Sequence, residues 1–317
     1  MQWRFNISSQ YQLDIIGDIH AHAEQLQALL TKLGYEKKAN GYSHSERKAL
    51  FIGDYINRGP ENLETVDIIR KMVDNGDARA LMGNHEYNAI AYHKTHPETG
   101  KTLRPHHARN IARHKTFLDE MAREPERAQD ALDWFMTLPL AINIDHGYFV
   151  HACWDHGLID KSRNLLGPEL CMTEEFVVNS VDKQAIEFEI IETVLKGPEI
   201  DFADYGVERL DNEGKPWNVV RVAWWPTECR DITDVVVNVE NMPDTPPIDM
   251  SNETFADAYI PPDSVCFFGH YWMTGEPQIL ADNIACVDYS IAKQGSLVCY
   301  RWNGETDLSN NKFMYVE

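Results

Sequence analysis

The sequence predicts an α/β fold, because short apolar runs typical of buried strands alternate with amphipathic segments typical of helices. The runs at 13–16, 49–52 and 78–82 are each bounded by glycine and predict three strands. The segment after the first run has leucine at the spacing of one helix face, at Leu26, Leu29, Leu30 and Leu33. Polar residues follow each run, and in such folds ligands gather outside the carboxyl ends of the strands.

The second strand is followed by another helix, which Pro60 begins and Gly76 ends. Its inward face repeats an apolar residue at the same spacing, at Leu63, Val66, Ile69 and Val73. Later apolar runs predict further strands at 148–150, 265–268, 284–287 and 297–300, and a weaker one at 235–239.

The 317 residues are predicted to form a single domain, 1–317, with two insertions. Between 87 and 140 the spacing of apolar residues predicts a helical cap over the site, and the acidic, loop-rich stretch 157–262 predicts a second cap. Five histidines of the first insertion have no regular spacing, which indicates a solvated surface, with a second metal site as the alternative. They are His93, His96, His106, His107 and His114.

The composition excludes several classes of partner. Against 50 acidic residues there are 29 basic ones, and the net charge of −21 disfavours both nucleic acid and anionic membrane surfaces. The six cysteines form no CxxC pair and several lie in apolar runs, which indicates buried free thiols in a reducing compartment. Neither an export signal nor an apolar run of about 18 residues is found, so a cytoplasmic location is expected.

Five short motifs place metal-ligand side chains directly after predicted strands. They are Gly17-Asp18-Ile19-His20, Gly53-Asp54-Tyr55-Ile56-Asn57-Arg58-Gly59, Gly83-Asn84-His85-Glu86, Val150-His151 and Gly269-His270. Asp18 and His20 are two residues apart, so an extended backbone directs both toward one cation. The two oxygens of Asp54 can bridge a pair of ions, and Asn84 offers an amide oxygen. With the imidazoles of His151 and His270, this ligand set favours manganese, iron or zinc over calcium.

Two divalent ions would leave such a site attractive to phosphate despite the acidic protein, because Asp18, Asp54 and a bridging hydroxide do not neutralise them. Ions about 3.5–4 Å apart lower the pKa of the shared water, which then attacks phosphorus. The fork of Arg58 can bind phosphoryl oxygens, and we assign His85 to protonating the leaving oxygen. Arg221 is either a second phosphate clamp or a surface arginine.

The order of these motifs resembles the calcineurin-like metallophosphoesterases, in particular the phosphoprotein-phosphatase type with GDxH, GDxxDRG and GNHE. The resemblance implies a four-layer α/β/β/α sandwich, with His85 as the acid and Arg58 as the phosphate clamp. It implies a first metal held by Asp18, His20 and Asp54. It implies a second held by Asp54, Asn84, His151 and His270, so that Asp54 serves both ions and Asn84 also faces the substrate.

The run from Phe268 to Trp272 and the ending with Val287-Asp288 and Arg301-Trp302 are closer to the bacterial branch that includes symmetrical diadenosine tetraphosphatases. One departure concerns the metals. Many relatives in the wider superfamily have GHxH where this chain has Gly269-His270-Tyr271-Trp272, so the first metal lacks an imidazole and should bind more weakly.

The other departure concerns the acid. Asn57 stands where protein phosphatases of this type have aspartate, so the protonated form of His85 would be less stabilised. A serine alkoxide needs that proton more than a phosphate leaving group does. We therefore predict a hydrolase for phosphoanhydrides or other small phosphates, with a serine/threonine protein phosphatase and a non-catalytic scaffold as alternatives.

Overall fold

The computed structural model describes residues 12–205, 219–226, 231–237 and 256–317. Its strands are β1 (Gln12–Ile16), β2 (Glu36–Lys38), β3 (Gly41–Ser43), β4 (Arg47–Phe51), β5 (Ala78–Ala80), β6 (Ala141–Ile144), β7 (Gly147–Val150), β8 (Glu199–Asp201), β9 (Val219–Arg221), β10 (Val265–Phe268), β11 (Ile284–Cys286), β12 (Asp288–Tyr289), β13 (Ser296–Trp302) and β14 (Phe313–Val316). Its α-helices are α1 (Ala23–Leu33), α2 (Asn62–Asp74), α3 (Asn84–His93), α4 (Ala108–Met121), α5 (Pro125–Phe135), α6 (His156–Leu166), α7 (Glu174–Asn179), α8 (Ile186–Val194) and α9 (Ile232–Val235). Short 3-10 turns lie at Phe202–Tyr205, Ile291–Lys293 and Asn310–Lys312.

The first sheet has the strand order β12-β13-β1-β4-β5, with β14 paired to β13. Strands β1, β4 and β5 are parallel, so Ile16 lies opposite Phe51 and Phe51 opposite Ala80. Their carboxyl ends therefore meet at one edge, as the sequence predicts. Strand β13 joins this sheet antiparallel to β1, which explains why a run near the end of the chain is buried beside the first strand.

The second sheet has the order β11-β10-β7-β6. Strand β10 is parallel to both β7 and β11, and the hairpin partner β6 is antiparallel to β7. His151 follows β7 and His270 lies just beyond β10, so both side chains come from the carboxyl ends of neighbouring parallel strands.

The two sheets pack face to face around one apolar core. Leu13 and Leu50 of the first sheet share this core with Phe149 and Phe267 of the second. The ring of Phe267 lies 5.0 Å from that of Tyr300 across the interface. Alternate residues of each strand point outward, where helices cover them. The predicted four-layer α/β/β/α arrangement is thus confirmed.

Helices close the outer faces. Helix α1 packs against β13 and β14, and α2 packs against β5. The predicted helix of residues 26–33 ends as expected, since Gly34 adopts a φ of 93° that closes α1 in the left-handed conformation. On the other side, the end of α8 meets the segment that follows β7, where the carbonyl of Val194 accepts a hydrogen bond from the N–H of Ala152.

The stretch 87–140 is helical, as predicted, and contains the end of α3 together with α4 and α5. The stretch 157–262, predicted as loop-rich, contains α7, α8 and nearly all of α6. The prediction of a weaker strand at 235–239 is wrong for its first residue, because Val235 ends the short helix α9 with its side chain buried. Residues 238 and 239 lie outside the described residues.

The five described cysteines are free, and four of them are buried; Cys229 lies outside the described residues. Among the described residues, no helix combines the length and apolar character needed to cross a membrane. The role of the two stretches as caps on a single domain stays a prediction.

Candidate metal centre

Several residues of the motifs sit in an unusual backbone conformation where the strand ends meet. His20, Asp54 and His270 have φ values of 48°, 55° and 69°, which side chains other than glycine seldom adopt. Such strain is stored at functional sites when the surrounding structure enforces it. Glycine is needed beside them, because a Cβ added at Gly83 would lie 2.2 Å from the backbone nitrogen of Asp54.

The carboxylate of Asp54 is buried at the centre of the site. Its Oδ1 lies 3.4 Å from Nε2 of His151, and its Oδ2 lies 3.8 Å from Nε2 of His20 and 4.0 Å from Nε2 of His85. Burial alone would raise the pKa of Asp54, but His151, His85 and His20 together hold it well below its usual value. Asp54 is therefore a carboxylate surrounded by imidazoles.

The imidazoles are oriented as metal ligands usually are. Nδ1 of His151 lies 3.0 Å from the carbonyl of Ile52, which leaves Nε2 facing the site, 3.2 Å from Oδ1 of Asn84. His20 repeats this arrangement, with Nδ1 lying 3.3 Å from the carbonyl of Ile56.

Buried ring nitrogens at this point are left without partners. Among the described residues, Nε2 of His20 and both ring nitrogens of His270 form no hydrogen bond. The potential ligand atoms of Asp54, His151 and His270 lie within 4.8 Å of one another, and those of His20, Asp54 and His85 form a second such group. Unpaired buried polar atoms are costly, and metal ions would satisfy them. The residues present thus fit a pair of divalent ions.

Asp18 lies beside these two groups and belongs to neither. Both of its carboxylate oxygens lie 3.2 Å from the backbone N–H of His270, which donates to them. Burial raises the pKa of Asp18 well above its usual value, and the nearby carboxylates of Asp288 and Asp54 raise it further. Asp288 has no assigned role in the sequence analysis, although it is fully buried near the site.

Glu86, the last residue of the GNHE motif, supports the loops around the site. Its carboxylate accepts hydrogen bonds from four backbone N–H groups: Asp54 at 2.8 Å, Tyr55 at 2.8 Å, Ile56 at 3.2 Å and Gly83 at 3.1 Å. Burial and the charge of Asp54 raise the pKa of Glu86 to about 8. One side chain of α3 thereby fixes the loop after β4.

His85 is held by a chain of polar contacts, in which the contact with Asn57 was predicted and the one with His114 was not. The amide Nδ2 of Asn57 lies 3.0 Å from Nδ1 of His85, and Oδ1 of the same amide lies 3.0 Å from Nδ1 of His114. The amide N–H donates, so the proton of a neutral His85 ring is on Nε2, toward Asp54. Burial lowers the pKa of His85 to about 4, with Arg58 among the groups that add to this.

The surface interpretation of the five histidines is wrong for His114, which is 6% exposed and stacks on Phe117. His93 is half-buried and touches it, with 3.4 Å between their Nε2 atoms. His106 and His107 are exposed, as predicted. The sequence signal was available, because His114 falls three residues before Phe117 on the apolar face of α4.

The predicted phosphate ligands lie at the opening of the site. Arg58 and Arg221 line a cleft of about 1040 Å³ together with Asn84, His85 and His270. The guanidinium of Arg221 donates to the carbonyl of His270 at 3.0 Å, which holds it at the cleft, and its role as a phosphate clamp stays a prediction.

A tryptophan lies between the two arginines, with its ring centre 5.0 Å from the guanidinium carbon of Arg58 and 5.5 Å from that of Arg221. This Trp272 was named in the sequence only as part of a motif. By contrast, Trp224 is buried and donates to the carbonyl of Ala152 at 2.9 Å, so it packs and does not face the cleft.

Comparison with known proteins agrees with this arrangement. The sequence model of the calcineurin-like phosphoesterases matches residues 11–271, which include all five motifs. The chain belongs to the calcineurin-like phosphoesterase family. Its fold is similar to that of a cold-active protein-tyrosine phosphatase of a psychrophilic Shewanella species, with a TM-score of 0.50, 14% identity and coverage of 97% of this chain and 80% of the other.

Two curated relatives of this phosphoesterase are bis(5'-nucleosyl)-tetraphosphatases. The asymmetrical enzyme of Halalkalibacterium halodurans is 43% identical over 75 residues, which are 23% of this chain and 30% of that protein. The symmetrical enzyme of Janthinobacterium sp. (strain Marseille) is 30% identical over 137 residues, 43% of this chain and 42% of that protein. The matches thus span less than half the length of either relative.

Proposed function

We propose that this chain is a dinuclear metal-dependent phosphohydrolase that cleaves phosphoanhydride bonds in nucleotides or other small phosphates. The convergence of His20, His151 and His270 on the buried carboxylate of Asp54, with ring nitrogens left unpaired, is the observation that carries the proposal. The dinucleoside tetraphosphatase relatives support a nucleotide substrate.

The first metal would be held by Asp18, His20 and Asp54, and the second by Asp54, Asn84, His151 and His270. When bound, the two ions would lower the pKa of a water molecule and stabilise charge on the phosphoryl oxygens. The mixture of carboxylate, amide and imidazole ligands supports manganese, with iron or zinc as alternatives. Buried free thiols support a cytoplasmic location.

The remaining roles belong to side chains of the cleft. Arg58 and Arg221 bind the phosphoryl oxygens, and the amide of Asn84 faces the same group. Water supplies the attacking oxygen and releases a proton, and the bond from phosphorus to the leaving oxygen breaks. The imidazolium form of His85 gives its Nε2 proton to the leaving oxygen, and the proton released by the water restores that form. The neutral Asn57 beside His85 supports a leaving group of low basicity, as in a phosphoanhydride.

The test is a substrate panel with manganese-loaded protein: diadenosine tetraphosphate, phosphoserine peptides, cyclic nucleotides and an aryl phosphate. We expect the tetraphosphate to give the highest kcat/KM. Phosphoserine peptides turned over as fast as the tetraphosphate would favour the protein-phosphatase alternative. No turnover of any substrate would favour the scaffold and contradict the proposal.

A further inference from the structure

The cleft in front of the metal centre is basic in a strongly acidic protein. Among the described residues, seven basic side chains line it against two acidic ones, whereas the whole chain has 29 basic and 50 acidic residues. The seven are Arg58, Arg104, Arg109, Arg113, Lys115, Lys196 and Arg221. Only Arg58 and Arg221 belong to the phosphate clamp already described, so the other five need a separate explanation.

Three of them form a single surface, which we call the α4 wall: Arg104, Arg109 and Arg113. Arg109 and Arg113 are four residues apart on α4 and therefore project from the same face of the helix. Arg104, in the loop before α4, donates to Oδ1 of Asn88 at 2.7 Å. Because Asn88 lies on α3, one turn after Asn84, the wall is fixed to the helix that carries the metal-site residues.

Two of the three arginines of this wall, Arg104 and Arg113, are not paired with an acid within the described residues. In contrast, Lys115 forms an ion pair with Asp119 on α4, and Lys196, just after α8, forms one with Glu192 on that helix. Partial burial lowers the pKa of Arg113, and the positive charges of Arg109, Arg104 and Arg58 lower it further. Cations held together in this way repel one another, and a bound anion would relieve that repulsion.

The wall lines the same cleft as the catalytic residues. Arg58 acts on Arg113, and Arg104 acts on His85, through their charges. A chain of linked anions that starts at the metal centre and extends along the cleft toward α4 would therefore pass these guanidinium groups. A single phosphate would occupy only the clamp. Planar guanidinium forks are suited to the paired oxygens of phosphate groups.

We propose that the α4 wall binds the phosphates that are not transferred, so that this cleft selects linear oligophosphate substrates over monophosphates. This inference rests on the proposed function, since it places the phosphate under attack at the metal centre. It concerns a separate set of residues, and binding to that set can be measured without turnover.

The main variant is Arg113→Gln, which removes one charge from the wall and leaves the metal site and clamp intact. Arg123→Gln is the matched control, because Arg123 is exposed just beyond α4 and does not line the cleft. Binding of tripolyphosphate and of orthophosphate is measured by calorimetry on the full chain without added metal. Thermal melting of each variant reports whether it is folded.

We expect Arg113→Gln to weaken tripolyphosphate binding about tenfold, as the loss of one charged hydrogen-bonding partner does, and to leave orthophosphate binding within about twofold. Arg113→Lys should recover part of the loss, and Arg123→Gln should behave as wild type. In the metal-loaded protein, KM for diadenosine tetraphosphate should rise while kcat/KM for an aryl phosphate is unchanged.

Equal tripolyphosphate binding by wild type, Arg113→Gln and Arg104→Gln would overturn the inference, even if metal-dependent turnover is intact. Binding of an acidic phosphopeptide can be measured in the same way. If Arg113→Gln weakened only that binding and left tripolyphosphate binding unchanged, the inference would be overturned as well, since the wall would then bind a protein. Failure of the proposed function would give a different result: the metal-loaded protein would turn over no anhydride, whether or not tripolyphosphate binds in calorimetry. The binding result therefore decides the wall, and the turnover result decides the reaction.

Discussion

At the scale of single residues, the account depends most on His85. Its Nε2 lies 4.0 Å from Oδ2 of Asp54, and its Nδ1 is occupied by Asn57, so the ring has one free position for a proton. His85→Asn should lower kcat about 100-fold or more while the metal content stays that of wild type. The measurement is kcat with diadenosine tetraphosphate beside elemental analysis. A variant that loses its metals would show a ligand in place of an acid.

A change at Asn57, which contacts Nδ1 of His85, tests the role of His85 without replacing it. Asn57→Asp places a carboxylate against Nδ1 of His85, which favours the imidazolium and raises its pKa from about 4. We expect turnover of substrates with basic leaving groups, such as phosphoserine, to rise relative to that of anhydrides. The ratio of the two kcat/KM values gives the answer. An unchanged ratio would mean that the amide does not set the leaving-group preference.

At the scale of elements, the start of α3 packs tightly against the loop after β4. A Cβ at Gly83 would lie 2.5 Å from Oδ1 of Asp54 and 2.5 Å from Oε2 of Glu86, both of which are fixed by backbone hydrogen bonds. Gly83→Ala should therefore displace Asp54, weaken metal binding and abolish most activity. Metal titration checks this, and Gly157→Ala, whose added Cβ would have no heavy atom closer than 3.5 Å, is the control.

Helix α4 contributes a pH dependence through His114. Burial, together with His93, His85 and Arg104, lowers the pKa of His114 to about 3. Between about pH 6.5 and 3 the unfolded chain therefore binds a proton that the folded chain does not, so stability falls as pH falls, by about 1.4 kcal/mol per pH unit at most.

His114→Gln keeps a donor for Asn57 and removes this titration. Its free energy of unfolding, measured by denaturant at several pH values, should fall less steeply below pH 6.5 than that of wild type. The difference between the two slopes of unfolding free energy against pH should approach the value for one bound proton, about 1.4 kcal/mol per pH unit. Equal slopes would mean that His114 is protonated in the folded protein, which would contradict its burial.

At the scale of the whole molecule, the sequence predicted what local chemistry determines. Strand-helix alternation predicted β1, α1, β4, α2 and β5, because each buries apolar residues and has a glycine within three residues of its end. The motifs identified the residues that meet at the sheet edges. Nothing local indicated that β13 pairs with β1, since that contact joins segments almost 290 residues apart.

The parts that were missed depend on tertiary contacts. His114 was placed on the surface because its spacing to other histidines is irregular, whereas its burial depends on how α4 packs over Asn57. The basic cleft was hidden by a net charge of −21, because an average over the chain says nothing about where the arginines lie. The helices of residues 156–194 were obscured by an acidic composition that is typical of loops.

The central claim is that residues far apart in the chain hold two divalent ions at Asp54. The most direct test is the number of transition-metal ions bound per chain, measured by elemental analysis of active protein and of the variant Asp54→Ala. We predict about two ions per chain in the active protein, as in other two-metal phosphatases, and a loss of both ions and activity in the variant. Full activity without metal, or two ions retained by Asp54→Ala, would contradict the account.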